Sequence, residues 1–444
     1  MSDPISRREL LKWFSAGAGA AAVGGATWYT GRTDPPSTAP TPVATNVPAP
    51  VVRPPVTTAA SAITAPPAPP AVPDLAQRLL VVVEMGGGND GMSTLVPYGL
   101  GSYYDLRPNT ALGGDSVLAL DGEVGFHADL ARTFARGAAV LQGVGVPDSD
   151  GSHFEMMARW WAGAMDSGSS FDTGFLGRLA DAIGDPAAPA VALSVGSGSH
   201  PALVSRTVGT LSIPDAGSSW YVTGAGEDDW LRMMFQQGFT RFGQAASSGG
   251  VEGWKRGLMS QSVAFAELLD GVGEEDEEAG AYPESDLGRG LRLAARLFTG
   301  DIGLRIVHVP MNLDFDTHDD HNGRYPALMQ DFDASVDAFF ADLEARGLAD
   351  RVLLATTSEF GRTARDNASY GLDHGTASNM LLMGPVVAGR HGEHPSLDTL
   401  DDNGNLVPTV GLDQYYATIA EHWFGVPASE VLAGSPAPVA GIIA

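Results

Sequence analysis

Short and almost uninterrupted apolar runs recur along the chain from residue 79 onward. They cover residues 79–83, 138–144, 190–195, 304–309, 352–357 and 380–383. Runs of this length and character are typical of strands that are buried on both faces, as the strands of a parallel sheet are. The hydrophobic pattern therefore predicts a mainly parallel sheet.

Segments with helical periodicity lie between these runs. They are residues 152–162, 174–182, 287–297 and 325–345, with a last helix predicted over 414–424. The stripe in the fourth helix consists of Leu328, Phe332, Val336, Phe339, Phe340 and Leu343. Strands that alternate with amphipathic helices indicate an α/β fold, in which helices cover both faces of the sheet in three α/β/α layers. Residues 217–285 are less regular, and we interpret them as a helical insertion with an acidic loop.

The N-terminal 76 residues have a different pattern. Arg7 and Arg8 precede an apolar run rich in Ala and Gly, the layout of a twin-arginine export signal, although an ordinary basic N-terminus is the alternative. We assign residues 1–32 to this signal, 33–76 to a disordered Pro-rich linker and 77–444 to one large domain. The expected partner is the twin-arginine translocase during export. The expected location is periplasmic, cell-wall-associated or extracellular, with cleavage of the signal left open.

Composition narrows the classes of partner. The chain has no cysteine, so it forms no disulfide and has no cysteine for lipid attachment. Its formal net charge of −27 argues against nucleic acid or an anionic membrane as a partner.

Polar and mostly acidic clusters follow the predicted strands. Ligands of an open α/β sheet bind beyond the carboxyl ends of its strands, so side chains delivered there are the first candidates for chemistry. The candidates for metal ligation are Asp90, Asp316, His318 and Glu359, which follow predicted strands, and His374, which stands just before the strand at 380–383. Carboxylate and imidazole are the ligands of zinc, manganese and related divalent ions. Arg362 is the arginine available to neutralise converging acids, and we also count it as a catalytic candidate.

Each of these signals has a simpler interpretation. Asp316 and His318 fit a capping aspartate and a surface histidine. Glu359 fits an ion pair with Arg362 that stabilises a turn, and the glycines at 86–88 fit a tight turn. The occurrence of all of them at strand ends favours one common polar site.

Ser152 and His153 stand where the first of the long helices is predicted to begin. Ser152 fits an N-cap, with Glu155 completing a capping box. A helix N-terminus also stabilises an attacking hydroxyl or an oxyanion, so Ser152 is a candidate nucleophile and His153 a candidate base or ligand. Both interpretations remain open, and Ser149 is the less favoured alternative nucleophile.

An ordered set of short motifs resembles domain-of-unknown-function family 1501. The motifs are Gly87-Gly88-Asn89-Asp90-Gly91 with Val96-Pro97-Tyr98, then Ser152-His153-Phe154, Phe315-Asp316-Thr317-His318, Ser358-Glu359-Phe360-Gly361-Arg362-Thr363 and Asp373-His374-Gly375. The resemblance spans residues 79–425, and twin-arginine signals are frequent in that family. The family in turn looks like a distant branch of the alkaline phosphatase and sulfatase superfamily.

That resemblance implies a metal-dependent phospho- or sulfo-ester hydrolase ancestry. It implies that Asp90 is the metal carboxylate of the first strand, that Asp316 and His318 serve one metal, and that Glu359 and His374 serve as further ligands. It also places Ser152 near the nucleophile loop. Phe360 and Leu313-Asp314 depart from the usual Asp-His and glycine pairs, which implies a reduced metal set or no metal at all.

Two functions are therefore predicted. The first is an exported hydrolase that uses a divalent metal (zinc, manganese, magnesium or calcium) on a small anionic ester. The second is a non-catalytic cell-envelope binding protein on a degenerate hydrolase fold. The sequence names no substrate and no oligomeric state.

Overall fold

The structure is a computed structural model. It describes residues 74–166, 172–196, 198–213, 229–244, 252–253, 256–257, 282–300, 302–311 and 314–444. The predicted signal and nearly all of the predicted linker lie outside the described residues, as does most of the predicted insertion. No helix within the described ranges is long and apolar enough to cross a membrane.

The centre of the fold is a nine-stranded sheet. Its strands are β1 (Leu79–Met85), β5 (Ala139–Gly145), β6 (Ala192–Val195), β7 (Thr210–Ile213), β8 (Ile306–Met311), β9 (Val352–Thr357), β10 (Ser378–Met383), β11 (Gly389–His391) and β12 (Val410–Gly411). The order is β11-β5-β10-β9-β1-β8-β6-β7, and β12 pairs with β5. A smaller sheet consists of β2 (Leu95–Val96), β3 (Val117–Ala119) and β4 (Gly125–His127).

Strand β10 is antiparallel to both of its neighbours, β5 and β9, whereas the other pairs of the large sheet are parallel. The segment before β10 consequently reaches the same edge of the sheet as the segments after β1, β5, β8 and β9. Because β10 runs in the reverse direction, the loop that precedes it, and not the loop that follows it, lies at this edge.

The helices within the described residues are α1 (Gly91–Thr94), α2 (Gly101–Leu106), α3 (Ala131–Ala135), α4 (His153–Ala162), α5 (Phe175–Ile183), α6 (Asp229–Gln244), α7 (Asp286–Thr299), α8 (His321–Ala345), α9 (Leu412–Ala417) and α10 (Ala428–Val431). Helices α4 and α8 cover the two opposite faces of the large sheet. Helix α9 continues as a π-helical turn over Thr418–Trp423.

Alternation along β1 divides the core into two layers. Val81 and Val83 pack in the layer that contains Phe332 of α8. Leu80 and Val82 face the other layer, which contains Trp160 of α4. Because side chains of a strand point alternately to opposite faces, a strand that is apolar at every position must be covered on both sides.

The structure confirms the predicted α/β class and mainly parallel sheet. All six predicted strands are present, as β1, β5, β6, β8, β9 and β10. The sequence pattern missed β7, β11 and β12, which are short and only partly buried and so lack a strong apolar run. Helix α6 lies in the segment that was predicted to be a helical insertion.

Candidate metal centre

Four chain segments meet at one edge of the large sheet. His153 is the first residue of α4, beyond the end of β5. Asp316 and His318 lie in the loop between β8 and α8, Glu359 follows β9, and His374 precedes the antiparallel β10. The sheet order places β5, β10, β9, β1 and β8 side by side, so these loops converge although the residues are far apart in sequence.

Asp316, His318 and His374 form a triangle of potential ligand atoms. Oδ1 of Asp316 lies 3.1 Å from Nε2 of His318 and 3.1 Å from Nε2 of His374. The two Nε2 atoms are 2.9 Å apart. Ligands bonded to one tetrahedral zinc ion at about 2.0–2.1 Å are spaced by roughly 3.3 Å, so the triangle approaches one face of such a tetrahedron.

His153 joins this group from the side of α4. Its Nε2 lies 3.6 Å from Oδ2 of Asp316, and its ring lies 4.4 Å from that of His374 between centroids. His153, Asp316 and His374 each offer one ligand atom within 4.8 Å of the other two. The centre therefore has three histidines around one carboxylate.

The other ring nitrogen of each histidine is held by an acceptor. Nδ1 of His374 donates to the carbonyl oxygen of Gly151 at 2.6 Å. Nδ1 of His318 donates to Oδ1 of Asp373 at 2.9 Å. Nδ1 of His153 donates to Oε2 of Glu359 at 2.7 Å. A carbonyl or an ionised carboxylate can only accept, so the neutral rings carry their proton on Nδ1 and direct the lone pair of Nε2 toward Asp316.

This arrangement requires a cation. Lone pairs of two imidazoles and a carboxylate oxygen face one another at hydrogen-bond distance, with no proton of the neutral rings between them. Either an additional proton on a ring or a metal ion must lie there. An Nδ1–H held by a carboxylate or carbonyl is the usual support of a metal-bound histidine, so the residues fit a divalent metal.

Arg362 stabilises the loops that carry the centre. Its buried side chain donates to Oδ1 of Asp316 at 2.8 Å, to the carbonyl of Gly88 at 2.8 Å and to that of Phe315 at 3.0 Å, and also to the carbonyl of Gly87. Burial raises the pKa of Asp316, but the Arg362 guanidinium outweighs it and holds the pKa below the usual range. Because its guanidinium is engaged in these contacts, Arg362 is placed to hold the loops together.

Glu359 faces His153 and not the middle of the centre. Its Oε1 accepts from the backbone N–H of Gly87 at 2.5 Å, and its Oε2 bonds His153. The predicted turn pair with Arg362 is not among the ion pairs of the described residues; Arg362 pairs with Asp316 instead. The contacts of Glu359 suit a group that orients a histidine.

The structure does not bring Asp90 to this group. Both oxygens of Asp90 accept from the buried Arg107, at 2.5 and 2.9 Å. Burial raises the pKa of Asp90, but the charge of Arg107 outweighs it and brings the pKa to about 2. Arg107 thus engages both oxygens of Asp90, whereas Arg362 engages only Oδ1 of Asp316, so the contacts of Asp90 do not support its predicted role as a metal ligand.

Ser152 occupies the N-cap position of α4, but its side chain makes no capping hydrogen bond. The predicted capping box is likewise absent at this helix, since Glu155 pairs with Arg159 one turn later. Ser149 accepts from the backbone of Gly151 at 3.3 Å. The hydroxyl of Ser152 is thus left uncommitted by its own helix.

Sequence reasoning missed Asp373 as a functional residue, although it stands beside His374 in the quoted motif. It also missed a second group, Glu84, His200 and His308. The available signal was a polar residue within an otherwise apolar buried strand: Glu84 in β1 and His308 in β8.

A model of the family described as "Protein of unknown function (DUF1501)" matches residues 123–403. The chain belongs to the DUF1501 family. The matched part of this DUF1501 protein includes all three histidines of the centre together with Asp316 and Glu359, whereas Asp90 lies before it. No curated protein matches the sequence.

Several solved structures are similar to this DUF1501 protein. The PsFucS1 sulfatase from Pseudoalteromonas sp. is 12% identical, covers 82% of this chain and 73% of its own, and has a TM-score of 0.34. The C-terminal periplasmic domain of EcEptC from Escherichia coli, in complex with zinc, is 10% identical, with 79% and 82% covered and a TM-score of 0.36. An alkaline phosphatase superfamily protein from Vibrio parahaemolyticus is 10% identical, with 79% and 67% covered and a TM-score of 0.35.

Proposed function

We propose that this DUF1501 protein is an exported, metal-dependent hydrolase of small phosphate or sulfate esters. The observation that carries the proposal is the set of three Nε2 lone pairs directed at Asp316, each fixed by an acceptor on the opposite ring nitrogen. Such a set is built to hold a divalent cation near solvent, where an ester can reach it. The side chain of His318 is 43% exposed, so the centre is open on one side.

The metal would be held by Asp316, His318 and His374, with His153 completing the set. When bound, a divalent ion supplies Lewis-acid polarisation of an ester oxygen and compensation of its charge. Arg362 fixes Asp316, while Asp373, Glu359 and the Gly151 carbonyl fix the three rings. The protein's own contribution is therefore to keep the ligands preorganised.

Phe360 closes one side of the centre with an apolar ring. It lies 4.5 Å from the ring of His374 and 5.0 Å from that of His153, between centroids. An aromatic ring ligates no divalent ion, so this side lacks the histidine that the resemblance would place there. We propose a centre for one ion.

Ser152 is the proposed nucleophile. It follows Gly151, whose carbonyl accepts from His374, and it precedes His153, and this adjacency in the chain supports the proposal. The positive end of the ten-residue helix α4 favours the developing negative charge of an attacking oxygen. The Glu359-bound ring of His153 offers Nε2 either as a ligand or as the acceptor of the serine proton.

Turnover tests the proposal. Full-length protein without a histidine tag, stripped with chelator and reloaded with zinc, manganese, magnesium or calcium, is assayed on aryl phosphate and aryl sulfate. We expect metal-dependent hydrolysis that Asp316→Asn abolishes, whereas Asp319→Asn, an exposed acid in the same loop, retains it. Stoichiometric metal without turnover on any ester would overturn the hydrolase and leave the non-catalytic binding protein.

Export is proposed from Arg7 and Arg8, which lie outside the described residues. Replacing both by lysine should retain the protein in the cytoplasm, because the translocase reads the arginine pair. Undiminished export of that variant would contradict this part of the proposal.

A further inference from the structure

A second histidine and carboxylate group lies on the α4 side of the sheet. Oε2 of Glu84 is 3.0 Å from Nε2 of His308 and 3.5 Å from Nε2 of His200. The two imidazole rings are 4.0 Å apart between centroids. The spacing of these three residues would, by itself, suit a metal ion as well as the first centre does.

The direction of the hydrogen bonds distinguishes this group from the first. Nδ1 of His200 accepts from the backbone N–H of Ala202 at 3.3 Å. A backbone N–H can only donate, so the neutral ring of His200 carries its proton on Nε2 and presents a donor to Glu84. In His153, His318 and His374 the proton is on the opposite nitrogen.

Other donors converge on the same carboxylate oxygen. Nε1 of Trp161, which can only donate, lies 3.1 Å from Oε2 of Glu84. Nδ1 of His308 lies 3.0 Å from the hydroxyl of Ser194, which can donate to it and leave Nε2–H for Glu84. Trp161 and His200 thus direct N–H groups at Oε2, and a metal ion there would face these protons in place of lone pairs.

A small cavity borders this group. It has a volume of about 20 Å³, enough for one water molecule, and its walls include Glu84, Trp160 and Glu359. Nε1 of Trp160 is buried and has no hydrogen-bond partner in the described part of the chain. Oε1 of Glu84 likewise receives no hydrogen bond from the residues that the structure describes, although three donors approach Oε2.

An unpaired buried N–H destabilises the fold, so it calls for an acceptor. Glu84 lines the same cavity, and its Oε1 can accept from a donor there. A water molecule offers both, while an anion would be repelled by Glu84 and a metal ion would gain nothing from an indole N–H. The size of the cavity agrees with this choice.

We propose that the Glu84 group is a metal-free site for a buried water molecule, which accepts from Nε1 of Trp160 and donates to Oε1 of Glu84. Of the two histidine and carboxylate groups in the described structure, the one around Asp316 takes the metal and the one around Glu84 takes the water. The water lies in the cavity that Glu359 also borders, and it connects the buried group to the wall of the metal centre.

Crystals of the full-length protein soaked in zinc test both the metal-free assignment and the water assignment. We expect no anomalous signal between Glu84 and His308 at the zinc absorption edge, and an ordered non-anomalous peak within about 3.2 Å of both Trp160 Nε1 and the Glu84 carboxylate. A zinc peak at Glu84 would overturn the metal-free assignment. An empty cavity at a resolution that shows other buried waters would overturn the water assignment.

Two variants test the metal-free and water assignments independently. Glu84→Gln, similar in shape to glutamate, should leave the bound zinc per chain unchanged; loss of zinc from this variant would overturn the assignment. Trp160→Phe removes the donor and keeps an aromatic ring. If Nε1 of Trp160 holds the water, crystals of this variant should lose the ordered peak, and a peak that stays at full height would count against the water assignment. Neither result depends on hydrolase activity.

Discussion

The Nε2 atoms of His318 and His374 lie 2.9 Å apart, and each ring donates its Nδ1 proton in the opposite direction. Two neutral imidazoles do not approach in this way without a cation between them. Asp316, at 3.1 Å from both, supplies the negative charge that such a cation needs. The predictions below follow from this arrangement.

Asp373 should control metal affinity without ligating the metal. Its carboxylate accepts the Nδ1 proton of His318 and fixes the ring orientation. We expect Asp373→Ala to weaken zinc binding by about ten- to a hundredfold, as loss of such a support does. Calorimetric titration measures this, with Asp319→Ala as the control in a neighbouring loop. Equal affinities of the two variants would exclude the role of Asp373.

Asp90 should matter for stability and not for metal. Removing one partner of a buried ion pair leaves the other charge unpaired, at a cost of about 3–5 kcal/mol. We therefore expect Asp90→Asn to lower the free energy of unfolding by an amount of this order, with the zinc content unchanged. Denaturant unfolding and metal analysis on the same sample check this. A variant of normal stability that has lost its metal would restore Asp90 as a ligand.

Ser152→Ala should remove activity at almost no cost in stability. A serine that caps a helix contributes about 0.5–2 kcal/mol, but Ser152 makes no capping hydrogen bond here. We expect loss of ester turnover, unchanged zinc content and an unfolding free energy within a few tenths of a kcal/mol of wild type. Ser149→Ala is the control and should keep turnover. The opposite pattern would make Ser149 the nucleophile.

His200 should make the fold less stable in acid. Burial, and secondarily the nearby His308, lower the pKa of His200 to about 4, below the value near 6.5 of an exposed histidine. As the pH falls from 6.5 to 4, the unfolded chain binds this proton and the folded chain does not, so stability decreases. His200→Gln should reduce that slope by up to about 1.4 kcal/mol per pH unit. If the unfolding free energies of variant and wild type depend on pH in the same way, His200 is not buried as a neutral ring.

The buried strands could be predicted because a strand covered on both faces needs apolar residues at every position. The proximity of Asp316, His318 and Glu359 also follows from the rule that loops at the carboxyl edge meet. His374 precedes β10 and reaches that edge only because β10 is reversed. The reversal of β10 could not be predicted. A buried antiparallel strand is as apolar as a buried parallel one, so the sequence does not distinguish them.

Glu84 and His308 stand out as polar residues in apolar strands, but their grouping with His200 could not be predicted, because it depends on the register of separate strands. His308 pairs with Val82 of β1 and with Ser194 of β6, and only this register sets its ring against Glu84. The ion pair of Asp90 could not be predicted for a similar reason. Arg107 follows a short helix, and no local sequence pattern indicates how that helix packs.

Zinc titration of the chelator-stripped, tag-free protein tests the central claim most directly. The lone-pair triangle of Asp316, His318 and His374 predicts about one zinc ion per chain, bound at least about a hundredfold more weakly by Asp316→Asn and normally by Asp319→Asn. Zinc uptake by Asp316→Asn that equals wild type, or no uptake by the wild-type chain, would contradict it and leave an additional proton as the cation between the rings.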